Sequence, residues 1–299
     1  MVSPELSALL YLLDDTDLEV RKQVHARIIA MGTDVLEILK SKLDEPLSEN
    51  LDNIFVLNEL IDKIEFEDLK REIKTWIANP EDLLYGMWLG SKFSGSEVEY
   101  KELNQQLERF KLEVWLELRY DLTALEKVKI LNFVLFNRFG FKGDEKNFYS
   151  PENCYLHKVL KNKKGNPLSL SIVYALVAQK LYIPIYGVNL PQHFVLAYLD
   201  IADLPSPRAD SKGLSSVAPT EAQTLFYINA YNKGAVFGRN QIDFYLSDIK
   251  KELLPLYYNP CSNAIILERF FRNLLNAYTV NKNSFKQKQI QEILELFIH

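Results

Sequence analysis

The run from Gly165 to Asp200, GNPLSLSIVYALVAQKLYIPIYGVNLPQHFVLAYLD, constrains the fold more than any other stretch of this chain. Gly165-Asn166-Pro167 opens a helix. It offers a flexible Gly, a side chain able to cap, and then Pro at the first helical position, where a missing N–H costs nothing. From Leu168 to Leu181, apolar residues (Leu168, Leu170, Ile172, Val173, Leu176, Val177, Leu181) fall on nearly every face. A helix apolar all round is buried, and this one is too short to span a membrane. Ile183-Pro184 stops it. Two β-rich runs follow, Ile185 to Leu190 and Phe194 to Leu199, with Pro191-Gln192-His193 between them.

A buried helix followed by strands, with a histidine opening the second strand, is a layout suited to thiol chemistry. The helix N-terminus stabilises a thiolate and the histidine serves as base. The surrounding residues make the likeness specific. Phe139-Gly140-Phe141, Tyr149, Pro151-Glu152-Asn153, Leu156, Val159-Leu160, Gly165-Asn166-Pro167, Leu170-Ser171 and Gly187 through Phe194 form one ordered series. The series resembles the second transglutaminase-like core family, the branch named for a bacterial SirB-type regulator and found also in some F-box proteins. The resemblance covers residues 80 to 275 and is densest between Phe136 and Phe194. It implies a transglutaminase-like, papain-like core.

Active members of that superfamily carry Gly-x-Cys at the start of the helix and a Gly-Ile-Pro-like stop after it. Counting back from Ile183-Pro184 without gaps sets Gly165-Asn166-Pro167 on that motif, so Pro167 takes the nucleophile position. Proline has no nucleophilic side chain. Ser169 lies within the next turn, either as a replacement nucleophile or as an ordinary helix-face serine. His193 matches the family histidine, and a lone His at a strand start also serves as a structural hydrogen-bonding residue. Asn229, in Phe226-Tyr227-Ile228-Asn229, falls where an acidic residue is typical, and Asn can still orient a His. Cys154 stands where the family usually has Ser. It is either a small core residue or, three residues before His157, half of a thiol–imidazole pair. Cys261 reads as a loop residue.

Composition narrows the function. With 35 basic and 40 acidic residues, the net charge of −5 argues against a broad nucleic-acid surface. Two cysteines give no disulfide framework and suit a reducing compartment. Four histidines, without Cys-x-x-Cys or His-x-x-x-His, support no metal or other cofactor. No apolar run reaches membrane-spanning length, and Met1 to Glu5 lacks a signal-peptide start, so a cytoplasmic protein is expected.

Residues 5 to 43 read as a HEAT-like helical hairpin. Leu6, Leu9, Leu10 and Leu13 form the first face, Asp14 to Asp17 the turn, Val20, Val24 and Ile28 the second helix, and Val35 to Leu43 a third. Leu51 to Ile77 supplies more helix, and Asn79-Pro80 closes an N-terminal domain of residues 1–79. The second domain, 80–299, begins with helices at Leu83 to Phe93 and Leu103 to Tyr120. Thr123-Ala124-Leu125-Glu126 is a capping box. Lys158, Lys161, Lys163 and Lys164 form a basic cluster, either a solvated helix end or an anion site. The Pro- and Ser-rich stretch from Ala202 to Ala222 is expected to be a loop covering the His193 cleft. Gln241 to Leu254, Asn263 to Tyr278 and Ser284 to Phe297 read as closing helices, with Arg269, Arg272, Asn273 and Asn276 on polar positions.

The sequence therefore predicts an α+β protein: a helical N-terminal domain, then a transglutaminase-like core of buried helix and small antiparallel sheet. The expected role is non-catalytic, regulatory or protein-binding, with a protein partner and neither nucleic acid nor membrane. Two alternatives stand beside it. One is a hydrolase or acyl transferase using His193 with Cys154 or Ser169; the other is a HEAT-type adaptor.

Overall fold

Capping side chains fix where most helices begin. In a computed structural model, which describes residues 3–13, 15–44, 51–201, 214–215, 217–219 and 222–298, Ser3 caps α1 (Pro4–Tyr11) and Asp17 caps α2 (Leu18–Ala30). A 3-10 turn at Gly32–Val35 leads into α3 (Leu36–Asp44), and α4 runs Leu51–Ala78. The chain divides into two units, Met1–Thr75 and Trp76–His299, so the division falls in the last turn of α4, just before the expected 79/80 boundary. Among its described residues the first unit carries helices and no strand. Leu6, Val24, Ile28, Leu39, Leu60 and Ile64 make its core, and Arg27 pairs with Glu5 at 2.7 Å across α1 and α2.

The second unit carries α5 (Leu83–Lys92), α6 (Tyr100–Trp115) and α7 (Ala124–Asn132), the last with both halves of the Thr123–Glu126 capping box. A π-helical turn, Phe133–Arg138, follows α7. Helix α6 ends at Trp115, five residues short of the expected Tyr120. Strand β1 (Lys142–Gly143) pairs in parallel with β2 (Lys164–Gly165), enclosing a short 3-10 turn (Pro151–Asn153) and α8 (Leu156–Asn162). These two-residue strands hold the approach to α9 (Pro167–Lys180), buried from Leu168 through Gln179.

Strands β3 (Ile185–Asn189), β4 (Phe194–Asp200), β5 (Gln223–Asn229) and β6 (Ala235–Phe237) form one antiparallel sheet in sequence order. The fold is thus α+β. Alternation along the strands divides the residues between the two sheet faces. Tyr186, Val188, Leu190, Val195, Ala197, Leu199 and Tyr227 cluster with Ile242 and Leu246 of α10 (Arg239–Asp248). The opposite face is carried by Gly187, Phe194, Leu196 and Tyr198, with α9 packed against β3 and β4. Helix α10 stops at Asp248 rather than Leu254 because Lys250 takes a left-handed φ of 55°. Helices α11 (Asn263–Val280) and α12 (Ser284–Glu295) close the chain.

One polar link ties α9 to the far end of the sheet. Tyr174 Oη donates to Asn132 Oδ1 at 2.9 Å, and Asn132 Nδ2 donates to Gly234 O at 2.9 Å. A Cβ on Gly234 would lie 1.8 Å from Asn132 Oδ1, and its φ is +73°, so this turn requires glycine. Most of the loop expected to cover the His193 cleft lies outside the described residues. Of its described part, Leu214 N donates to Gln179 O and Ser215 O accepts from Tyr186 Oη.

Candidate functional site

The amino end of α9 forms one wall of a cavity of about 390 Å³. Asn166 caps the helix, its Oδ1 accepting from Ser169 N at 2.9 Å, and Pro167 follows at the first helical position. Asn166, Pro167 and Leu168 line the cavity together with Cys154 from the α8 side, Gln192 and Phe194 from the start of β4, and Arg269, Asn273 and Asn276 from α11. Phe148 and Tyr149 supply an aromatic flank. A cavity of this size falls in the range of small-ligand sites, roughly 300–1,000 Å³.

Cys154 is buried in the cavity wall. Its Sγ accepts a hydrogen bond from Asn166 Nδ2 at 3.3 Å, and burial pushes the thiol up to about 12. At neutral pH it is a thiol, not the thiolate that nucleophilic chemistry needs. His157 does not partner it: among the described residues neither His157 ring nitrogen has a hydrogen-bond partner, and burial lowers that imidazole from an ordinary 6.5 to about 4. Ser169 is also buried. Its Oγ donates to Asn153 O at 2.6 Å and accepts from Asn166 N at 3.0 Å, so the hydroxyl completes a capping box and braces the β2–α9 turn. A Cβ on Gly165 would sit 2.5 Å from that Oγ, which explains the glycine before the cap.

His193 precedes β4 and stacks edge-on against Tyr245 of α10, ring centroids 4.9 Å apart. Its neighbours Gln192 and Phe194 line the cavity instead, with Gln192 at a left-handed φ of 59°. Burial, then the nearby positive charge of Arg269, lowers the His193 pKa. Tyr245 Oη donates to Pro191 O at 2.6 Å and clamps the turn. Asn229 closes β5: its Oδ1 accepts from Asn232 N at 3.1 Å, and its carbonyl accepts from Gly234 N. Among the described residues no hydrogen bond joins His193 to Asn229, Cys154 or Ser169. The structure therefore gathers Cys154, Asn166 and Pro167 at one cavity wall, seats Ser169 inside the first turn of α9, and places His193 toward α10 and Asn229 in its own turn.

The expected lysine cluster divides. Lys163 lies over the rings of Phe110 and Phe141 and donates to Leu160 O, while Lys164 approaches Asp144 at 3.9 Å. Among the described residues no group of His, Cys, Asp and Glu could hold a metal ion, and no helix is long and apolar enough to cross a membrane. What sequence reasoning did not assign to the site is the stripe Arg269, Asn273 and Asn276. Spacings of four and three put these residues on one face of α11, opposite buried Phe270, Phe271 and Leu274.

A buried helix aimed at a cleft beside a small antiparallel sheet defines a class of thiol-enzyme scaffolds. Residues 101–272, more than half of the chain, match the Transglutaminase-like superfamily, and the chain belongs to that family. It is similar to F-box only protein 21 of Mus musculus, 27% identical over 168 residues, which are 56% of this chain and 24% of that protein. A UPF0162 protein of Pseudomonas aeruginosa is 28% identical over 158 residues, 52% of this chain and 51% of its own length. A UPF0162 protein of Xylella fastidiosa is 39% identical over 70 residues, 23% of this chain and 25% of its own length. The matched region thus spans about a quarter to a half of these relatives. No solved structure matches.

Proposed function

We propose that this chain is a non-catalytic member of the superfamily, a regulatory protein-binding module whose former catalytic cleft has become a recognition surface. One observation carries this reading: among the described residues no hydrogen bond joins His193 to Cys154, Ser169 or Asn229. Pro167 occupies the amino end of α9 where a sulfur is required. Cys154, which lines the cavity, is held as a neutral thiol by burial. His193 contacts Tyr245, while its neighbours Gln192 and Phe194 face the cavity. A thiol enzyme needs sulfur and imidazole within hydrogen-bond reach, with a third group orienting the base.

The same reading assigns the chain to the SirB-type branch, takes residues 5–43 as a HEAT-like hairpin, and places the protein in a reducing cytoplasm, which suits two free cysteines. The test is turnover. Purified protein is incubated with glutamine-containing peptides, with and without a primary amine, and the products are read by mass spectrometry. Neither hydrolysis, deamidation nor amine transfer is expected. Products that vanish in Cys154→Ala or Ser169→Ala would overturn the proposal and install the hydrolase or acyl-transferase alternative.

A further inference from the structure

Arg269 is a partly buried cation with no counter-ion among the described residues. Its Nη1 donates to Asn189 Oδ1 at 2.8 Å and to Leu190 O at 3.0 Å, which anchors the guanidinium at the end of β3. Its Nη2 and Nε have no hydrogen-bond partner among the described residues, and no carboxylate there pairs with it. The adjacent acid, Glu268, is taken by Arg272 at 2.6 Å. Burial accordingly pulls the Arg269 pKa below its ordinary value. A guanidinium held in place through Nη1, partly withdrawn from water and with no carboxylate partner among the described residues, favours an anion at its remaining N–H groups.

The rest of the lining points the same way. The side chains of Gln192, Asn273 and Asn276 make no hydrogen bond to another described residue; Gln192 and Asn276 are exposed and Asn273 partly so, and all three line the same open cavity, where a ligand would replace water on their amides. Each amide can both donate and accept, as a peptide backbone does. The amino end of α9, a fourteen-residue helix whose dipole also favours negative charge, lines the same cavity. Phe148 and Tyr149 add an apolar flank.

We infer that the cavity recognises the carboxylate of a peptide segment, with Arg269 as the cation and Gln192, Asn273 and Asn276 as backbone-reading amides. This rests on the non-catalytic reading of the same cavity and names the chemistry it binds. Carboxylate is favoured over phosphate because the lining holds one guanidinium and no lysine. A single planar fork matches a carboxylate, whereas a phosphate carrying nearly two charges calls for more cations.

The experiment presents immobilised full-length protein with a pool of short random N-acetylated peptides, half with free C-terminal carboxylates and half with carboxamides. Retained peptides are identified by mass spectrometry. Carboxylate-bearing peptides should be enriched about tenfold or more over neutral ones. Retention of acid-ended peptides lacking Asp and Glu places the carboxylate at the chain end; retention of amidated peptides rich in Asp or Glu places it on a side chain. Arg269→Gln should abolish the preference, and Arg269→Lys should keep part of it. Because Arg269 also braces Asn189 and Leu190, thermal midpoints accompany both variants, and the double variant Asn273→Ala/Asn276→Ala provides a second route to loss. Equal retention of charged and neutral peptides, elution by inorganic phosphate but not by acetate, or a preference unchanged in Arg269→Gln and in the double variant overturns the inference. New peptide products that disappear in Cys154→Ser would instead strike the non-catalytic reading, independently of any carboxylate preference.

Discussion

Along β4 the chain alternates between two environments. Phe194 turns toward α9 and the cavity, whereas Val195, Ala197 and Leu199 turn toward α10, where His193 meets Tyr245. The α9 side holds a buried helix, a capped amino end and a polar-lined cavity. The α10 side is a packed aromatic and aliphatic layer, with the exposed His193 at its edge against Tyr245. The two sides differ in which groups they have left free. Around the cavity, the side-chain amides of Gln192, Asn273 and Asn276 make no hydrogen bond to another described residue, and Arg269 uses only Nη1, on Asn189 Oδ1 and Leu190 O; on the α10 side Tyr245, Tyr227 and Tyr258 are hydrogen-bonded to Pro191 O, Tyr258 O and Asp243. Free polar groups in a cavity serve binding, and satisfied ones serve packing.

The largest effect tests whether α9 is the centre of its side. Ile172, only 1% exposed, should cost about 2–5 kcal/mol when replaced by Ala, read from denaturant melts. A loss below about 1 kcal/mol would make α9 peripheral and break the comparison.

A smaller effect separates turn from triad at Asn229. If Asn229 caps its own β5–β6 turn, Asn229→Ala should cost about 1 kcal/mol, and Asn229→Asp, which keeps the accepting oxygen, should cost little. If Asn229 oriented His193 instead, Asn229→Asp would raise the His193 pKa by placing a negative charge beside it.

That pKa sharpens the comparison further. Burial and Arg269 lower it, so NMR titration should place the His193 midpoint below the ordinary 6.5. A thiolate–imidazolium pair would lift it above that value. His157 behaves likewise, pushed down to about 4 by burial and then by Lys158. The unfolded chain takes up a proton near pH 6.5 that the folded chain excludes until about pH 4. Stability is therefore complete above 6.5 and falls as pH drops through that window. Thermal midpoints should show this decline, and His157→Phe should flatten it.

Much of this layout was legible in the sequence. The Gly-Asn-Pro start, the all-apolar run and the Ile-Pro stop located α9 to within a residue, because capping and burial leave local signals. Pro167 as the first residue of α9 needed only the register of one helix. The direction of His193 was not legible. Strand β4 is buried on both faces, so Phe194 to Leu199 is apolar throughout and alternation assigns no residue to either side. Periodicity marked Arg269, Asn273 and Asn276 as polar, but a polar stripe facing solvent and one facing a cavity look alike in sequence. The two-residue strands β1 and β2 left no signal, since a pair that short has no period.

The central claim is that the sulfur and the imidazole do not form a working pair. The most direct measurement is the rate of Cys154 alkylation by an iodoacetamide probe from about pH 6 to about pH 9, in a Cys261→Ser background with and without His193→Gln. With its thiol held near 12, Cys154 should label slowly at every pH and at the same rate in both proteins. Rapid labelling near neutral pH that disappears in His193→Gln would show a thiolate paired with that histidine and would contradict the account.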